Sequence, residues 1–282
     1  MPEDNSNIHP QAIIEPGAKI GRNVQIEPYA IIKGTVTIED NVVIKSHVYI
    51  DGNTTIGEGT SIWPFTSIGT KTQDLKYKGE KTFVRIGKNC QIREFVTINS
   101  STTEGSVVSV GDNCVILAYC HIAHECQVGN HVIMSNNATL AGHVVVEDYA
   151  IIGGFTPVHQ FSRVGRFSMV GGMSRVTHDI PPFTIGGGIP YKLGGINLVG
   201  LKRQGFSLEQ RKVLSQAFKI LYRSGLHLNE ALEKIESELT ITEELKHLLD
   251  FCRNSQRGLI GLQGVTHQAE DDLEEVISSQ EV

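Results

Sequence analysis

The sequence predicts a solenoid of short parallel β-strands, closed at its C-terminal end by a small α-helical domain. Three observations carry this expectation. First, isoleucine stands at Ile8, Ile14, Ile20, Ile26, Ile32, Ile38, Ile44, Ile50, Ile56, Ile62 and Ile68, every sixth residue without a break. Second, four residues after each of them comes Ala12, Ala18, Val24, Ala30, Val36, Val42, Val48, Thr54, Thr60, Thr66 or Thr72, always small or β-branched. Third, the period of six stops before residue 190, and apolar residues then recur at helical spacing. A helix of about 3.6 residues per turn cannot keep a strict six on one face. An apolar plug on a short strand, then a corner where only a compact side chain fits, describes a ribbon wound into stacked turns, with Gly and Asn filling the corners.

The elements follow in order. The repeat resumes at Ile86, Ile92 and Ile98, and runs again from Val110 through Ile116, Ile122, Val128, Met134, Leu140, Val146, Ile152, Val158, Val164 and Val170 to Val176. It lapses where Asp74, Glu80 and Glu104 occupy positions that should be apolar, so loops are expected near 70–83 and 99–109. The first, TKTQDLKYKGEKTF, is either a solvated excursion or a flap over a site. In the helical part, Ser207 with Gln210 forms a capping box before Val213, Leu214, Ala217, Phe218 and Leu221, and Gly225 ends that helix. Asn229 is expected to cap a second helix, and Thr240 with Glu243 a third. The expected organisation is therefore a solenoid over 1–190, a helical domain over 191–260, and an acidic, disordered tail over 261–282.

Composition narrows the function. The net charge is -6, and residues 261–282 hold six acids and no Lys or Arg, so the first 260 residues are neutral. That removes the basic footprint of a general nucleic-acid binder. Five cysteines with no CxxC pair suggest neither a disulfide framework nor a zinc knuckle, and fit a reducing, cytoplasmic setting. The polar start MPEDNSNIHP has no apolar targeting core, and no run of 18 apolar residues provides a membrane span.

The repeat resembles the left-handed parallel β-helix of the hexapeptide-repeat acyltransferases, whose triangular coils each take three hexads. The resemblance covers roughly residues 8–185 and supplies the hand, which spacing does not. Coils stacked about 4.8 Å apart bring residues 18 apart into vertical register wherever no insertion intervenes.

That register gathers chemistry. His124, Gly142 and Gln160 stack on successive coils, with Glu125, His143 and Phe161 beside them and His159 next to Gln160. A base for a hydroxyl and a glycine N–H for an oxyanion suit acyl transfer. Zinc is the competing reading, because hexapeptide-repeat carbonic anhydrases hold that metal on three histidines. Their close pair is spaced H-x4-H, whereas His121 and His124 stand at H-x2-H, so no metal is expected. Cys90, Cys114, Cys120 and Cys126 all fall on the inward corner site and are expected to be core plugs, which implies direct transfer without an acyl-enzyme. A three-sided prism has flat faces, so a small-molecule site is expected where two copies pack; together with the family resemblance this suggests a homotrimer.

The strings QDLKY (73–77), HIAHE (121–125), NNATLAGH (136–143), IIGGFTPVHQF (151–161) and GLKRQGF (200–206) sharpen the resemblance to the acyl-ACP:UDP-N-acetylglucosamine O-acyltransferases of lipid A biosynthesis, over nearly all of 8–260. Carried over position by position, the resemblance implies that His124 is the general base, Glu125 orients it, and Gly142 holds the oxyanion. It implies that Asp74, Lys76, His121, His143, His159, Gln160, Asn197 and Arg203 bind the sugar nucleotide, and that Gly172, with Met169 and Met173, measures the acyl chain. No cofactor is implied, since phosphopantetheine enters on acyl-ACP; an acetyl-CoA-dependent hexapeptide acetyltransferase is the alternative. Two positions depart from the family pattern: Gln204 follows Arg203 where a second arginine is common, and Val199 stands where an acid is common. From Lys202 to Arg223 there are six bases and one acid, which fits either a solvated helix face or a surface for an acidic acyl carrier protein.

Overall fold

The computed structural model describes residues 5–262. The expected disorder of the tail concerns residues that lie, from 263 onward, outside those described. The chain winds as a left-handed parallel β-helix with three sheets of 11, 8 and 8 strands. The first face starts at Asn7–Ile8, the second at Ile13–Ile14 and the third at Lys19–Ile20, and each recurs on every coil. Pairing is in register, Ile8 on Ile26 and Ile26 on Ile44, so each hexad isoleucine sits on the one below. Two insertions break the spacing of 18 without breaking the stack. Ile62 pairs with Ile92 across the first loop, and Ile92 with Ile116 across the second. Both loops leave from the corner between the second and third faces, one after Ser67–Thr70 and one after Thr97–Asn99.

The hexad isoleucines from Ile32 to Ile68 are buried, most of them completely, as are the corner residues from Val24 onward. The first coil is the exception: Ile8 is 43% exposed and Ile14 and Ile20 are only half-buried, because no further coil lies beneath them among the described residues. The corner residues in left-handed conformation are more varied than Gly and Asn. Tyr29, His47, Phe65, Phe95 and Tyr119 take φ between 58° and 63°, and their rings stack up one edge at 4.8–5.0 Å. A left-handed residue with a side chain costs roughly 1–2 kcal/mol, and ring stacking returns about 0.5–1.5 kcal/mol per pair.

The four solenoid cysteines are core residues, as expected. Each thiol donates to a carbonyl of the next coil: Cys90 to Gly111 (3.1 Å), Cys114 to Gly129 (3.0 Å), Cys120 to Ser135 (3.1 Å) and Cys126 to Ala141 (3.0 Å). Thr60 does the same to Gly87 at 2.8 Å, so cysteine continues a threonine's task. Burial pushes the Cys120 and Cys126 thiols up to about 12, which removes them as nucleophiles.

The first sheet does not end at 190. Thr184–Gly187 pairs antiparallel with Lys192–Ile196, and the change to helix falls at Asn197. The reason is local: Gly186, Gly187, Gly188, Gly194 and Gly195 let the chain double back closely. Four helices follow, α1 (Leu198–Arg203), α2 (Leu208–Arg223), α3 (Leu228–Glu238) and α4 (Glu243–Arg253). The Ser207–Gln210 capping box is present, with bonds of 2.8 and 3.1 Å. α3 starts at His227 rather than Asn229, because the Glu230 carboxylate reaches back to the His227 N–H (3.1 Å). α4 is capped by Thr242, which accepts from the Leu245 N–H at 3.2 Å, so Glu243 lies in the first turn instead of pairing with Thr240. Phe167 and Phe183 at the top of the solenoid share a core with Leu214, Phe218, Leu232 and Leu248. After α4 the chain returns to the solenoid, where Ile260 donates to the Asp179 carbonyl (2.9 Å).

Candidate active site

The corner that releases both loops also carries His124, Glu125, Gly142, His143, Gln160 and Phe161 on the coils that follow. Loop 71–82 folds back beside that edge, and between them lies a cleft of about 700 Å³. Gln73, Asp74 and Lys76 form the loop wall; His121, His124, Gly142, His143 and Gln160 form the solenoid wall. Seven of the residues expected at the site therefore share one cleft. Asn99 and Phe161 join them, and Phe161 stacks over the His143 ring at 4.5 Å.

Glu125 lies behind this wall and is gripped from the second loop. Its Oε1 accepts from the Thr102 N–H (2.7 Å), the Thr102 hydroxyl (2.9 Å) and the Thr103 N–H (3.0 Å). Its Oε2 is 2.6 Å from His124 Nδ1. Burial pushes the Glu125 carboxyl up, but these bonds outweigh it and hold it down at about 2. An ionised carboxylate can only accept, so the Nδ1 proton belongs to His124 and the Nε2 lone pair is left for the cleft. Nε2 lies 3.7 Å from Asp74 Oδ2. The imidazole covers Gly142, where any Cβ would run into Cε1 and Nε2. The Gly142 N–H meets no acceptor among the described residues. Burial lowers both His121 and His143, which keeps these two rings neutral.

His124, Glu125 and His143 offer donor atoms within 4.8 Å of one another, among the described residues the one trio that could hold a metal ion. A metal there would have to displace the proton between His124 and Glu125, and Glu125 Oε1 is already saturated with donors. The geometry fits a base and its orienting carboxylate better than a ligand set.

Other expected residues lie elsewhere in the chain. His159 does not line the cleft; it is half-buried, with Nδ1 3.1 Å from the Gln160 carbonyl. The Asn197 side chain caps α1, accepting from the Gly200 N–H and donating to the Phe167 carbonyl, both at 3.1 Å, and does not line the cleft. Arg203 lines a separate groove of about 500 Å³ with Leu198, Val199, Lys202 and Arg211. Gly172 and Met173 sit at the corner between the first and second faces, and Met169 on the first face, all away from the edge that bears His124. A further groove, about 450 Å³, runs between the third face and α4, but its charged wall is spent on itself. There Glu147 takes His247 Nε2 (2.8 Å), the Arg166 N–H (2.9 Å) and Arg163 (3.2 Å), which bolts α4 to the solenoid.

Residues 35–70 and 108–142 match the family model described as bacterial transferase hexapeptide (six repeats), and the solenoid with its histidine edge defines a transferase of that class. Residues 179–260 match the model described as Udp N-acetylglucosamine O-acyltransferase, domain 2. The acyl-[acyl-carrier-protein]–UDP-N-acetylglucosamine O-acyltransferase of Chlamydia abortus is 60% identical over 255 residues, 90% of this chain and 91% of that one. The protein of the same description from Chlamydia trachomatis serovar L2 is 58% identical over 277 residues, 98% of both chains. Among solved structures, the UDP-N-acetylglucosamine acyltransferase of Bacteroides fragilis is 42% identical with a TM-score of 0.89, covering 90% of this chain and 100% of its own. The Arabidopsis enzyme is 33% identical with a TM-score of 0.81, at 90% and 99% coverage. The chain belongs to the acyl-[acyl-carrier-protein]–UDP-N-acetylglucosamine O-acyltransferase family.

Proposed function

We propose that the protein transfers a fatty acyl group from acyl-ACP to the 3-hydroxyl of UDP-N-acetylglucosamine, the entry step of lipid A biosynthesis, in the cytoplasm. His124 Nε2 takes the proton of the 3-hydroxyl as its oxygen attacks the thioester carbonyl. The Gly142 N–H receives the oxyanion of the tetrahedral intermediate. Collapse expels the phosphopantetheine sulfur, which regains the proton from His124, so no acyl-enzyme and no cofactor are needed. The single observation that carries this reading is the Nε2 lone pair of His124, fixed by the ionised Glu125 and set against the unengaged Gly142 N–H in one cleft.

Asp74, Lys76, His121, His143 and Gln160 supply the polar lining for the sugar and the first phosphate. The rest of the ligand needs a second copy. Arg203 for the diphosphate, and Gly172, Met169 and Met173 for the acyl chain, belong to other surfaces of the protomer. Three prisms in closed contact, each lending such a surface to its neighbour's cleft, complete the site, so the assembly is a homotrimer. An acidic acyl carrier protein fits the basic segment from Lys202 to Arg223. No described helix is long and apolar enough to cross a membrane.

Incubating the protein with acyl-ACP and UDP-N-acetylglucosamine is expected to give the O-acylated sugar nucleotide, and His124→Ala, still folded, to lower turnover by about 10²–10⁴-fold. Absence of product with wild-type protein overturns the reading; product from acetyl-CoA but not acyl-ACP would establish the acetyltransferase alternative instead.

A further inference from the structure

Loop 100–106 touches no part of the cleft, yet it holds both of its walls. On one side it supplies every hydrogen bond to Glu125 Oε1, and Ser101 Oγ accepts the Glu125 N–H at 3.2 Å. On the other it braces the loop that carries Asp74 and Lys76. The Glu104 carboxylate accepts from the Lys81 N–H at 2.7 Å, and the Gly105 N–H donates to the Lys81 carbonyl at 2.9 Å. Without these donors the carboxylate of Glu125, which sits on a left-handed corner with φ of 53°, could turn away from the histidine.

We infer that Thr102 is a positioning residue for acyl transfer: acting through Glu125, its N–H and hydroxyl hold His124 in the tautomer that carries its proton on Nδ1. The inference rests on the reading of His124 as the base. One feature singles out Thr102. It gives Glu125 Oε1 two donors at once, at 2.7 and 2.9 Å, so it fixes the rotamer as well as the charge. Ser106 is a weaker candidate, because its one hydroxyl proton is drawn to the Thr103 carbonyl at 2.6 Å, nearer than Glu125 at 3.1 Å. With the carboxylate pinned, Oε2 faces Nδ1, and the neutral ring carries its proton there and turns the Nε2 lone pair to an incoming hydroxyl.

The test uses Thr102→Val, which keeps the shape and loses the hydroxyl, and Thr102→Ser, which restores it. Nitrogen-15 resonances of the His124 ring report the tautomer in the free enzyme, and steady-state rates with both substrates report kcat and KM. Expected are a single Nδ1-protonated form in wild type, mixed tautomers in Thr102→Val, kcat lowered about tenfold with KM for the sugar nucleotide nearly unchanged, and recovery in Thr102→Ser. A Thr102→Val enzyme with an unmixed Nδ1 tautomer, or with wild-type kcat, overturns the proposal. Should wild type transfer no acyl group, the functional reading fails, while the resonances still decide whether Thr102 sets the tautomer.

Discussion

A β-carbon built on Gly142 would fall inside the imidazole of His124, the side chain of the coil below. The two residues are in van der Waals contact because glycine leaves the corner bare, and that bareness also exposes the N–H proposed to hold the oxyanion. Replacing Gly142 by alanine is therefore expected to push the ring aside and to lower kcat about a hundredfold or more. The clash is with the far end of a side chain, so the melting temperature should move little. Wild-type turnover of a folded Gly142→Ala protein would separate His124 from the chemistry.

The low position of Glu125 makes a stability prediction. A carboxylate held at about 2 in the folded chain and near 4.3 in the unfolded one stabilises above the upper value and loses that contribution as pH falls toward 2. The full shift corresponds to on the order of 3 kcal/mol. His121 and His143, lowered by burial, act with the same sign, and their contribution is lost from about pH 6.5 downward. Denaturant titrations between about pH 7 and 3 should show a steeper loss in wild type than in Glu125→Gln. Parallel curves would mean that the hydrogen bonds from Thr102 and Thr103 do not hold the charge.

Mixing tests whether two copies build one site. His124→Ala and Arg203→Ala should each be nearly inactive alone. If His124 of one subunit works with Arg203 of the next, co-assembly in equal amounts should restore roughly a quarter of the sites. No recovery in trimers shown to be mixed would mean that Arg203 serves the cleft of its own chain.

Lys212 and Lys219 are exposed on α2, on the segment proposed to meet the carrier protein. Lys212→Glu with Lys219→Glu is expected to raise KM for acyl-ACP several-fold and leave KM for the sugar nucleotide in place. Ionic strength raised from about 0.05 to about 0.5 M should have the same selective effect in wild type and a smaller one in the double variant. An equal rise for both substrates would point to the cleft instead of the docking face.

The strands and the histidine edge were legible because the period is strict: once Ile116 and Ile122 fix the coil, Gln160 over Gly142 over His124 follows by counting. Counting fails at insertions. Nothing in the spacing marks Thr102 as the partner of Glu125, since residues 100–106 belong to no hexad and their contacts depend on how the loop closes. The capping bond of Asn197 was hidden for a related reason. The residue's place in the chain matched a family position, but a cap two residues after Gly195 needs the carboxamide for the backbone of α1. Helix starts at His227 and Thr242 shifted by two residues because competing acids, Glu230 and Glu243, could serve more than one frame.

Among the described residues the prism is covered at one end by helices and uncovered at the other, where Ile8 and Ile13 meet water. Each turn rests only on its neighbours, so unravelling should begin at the bare end and climb. The histidine edge stands on the upper turns, close to the bolted cap, so the lower coils should fray first, as a sacrificial skirt beneath the cleft.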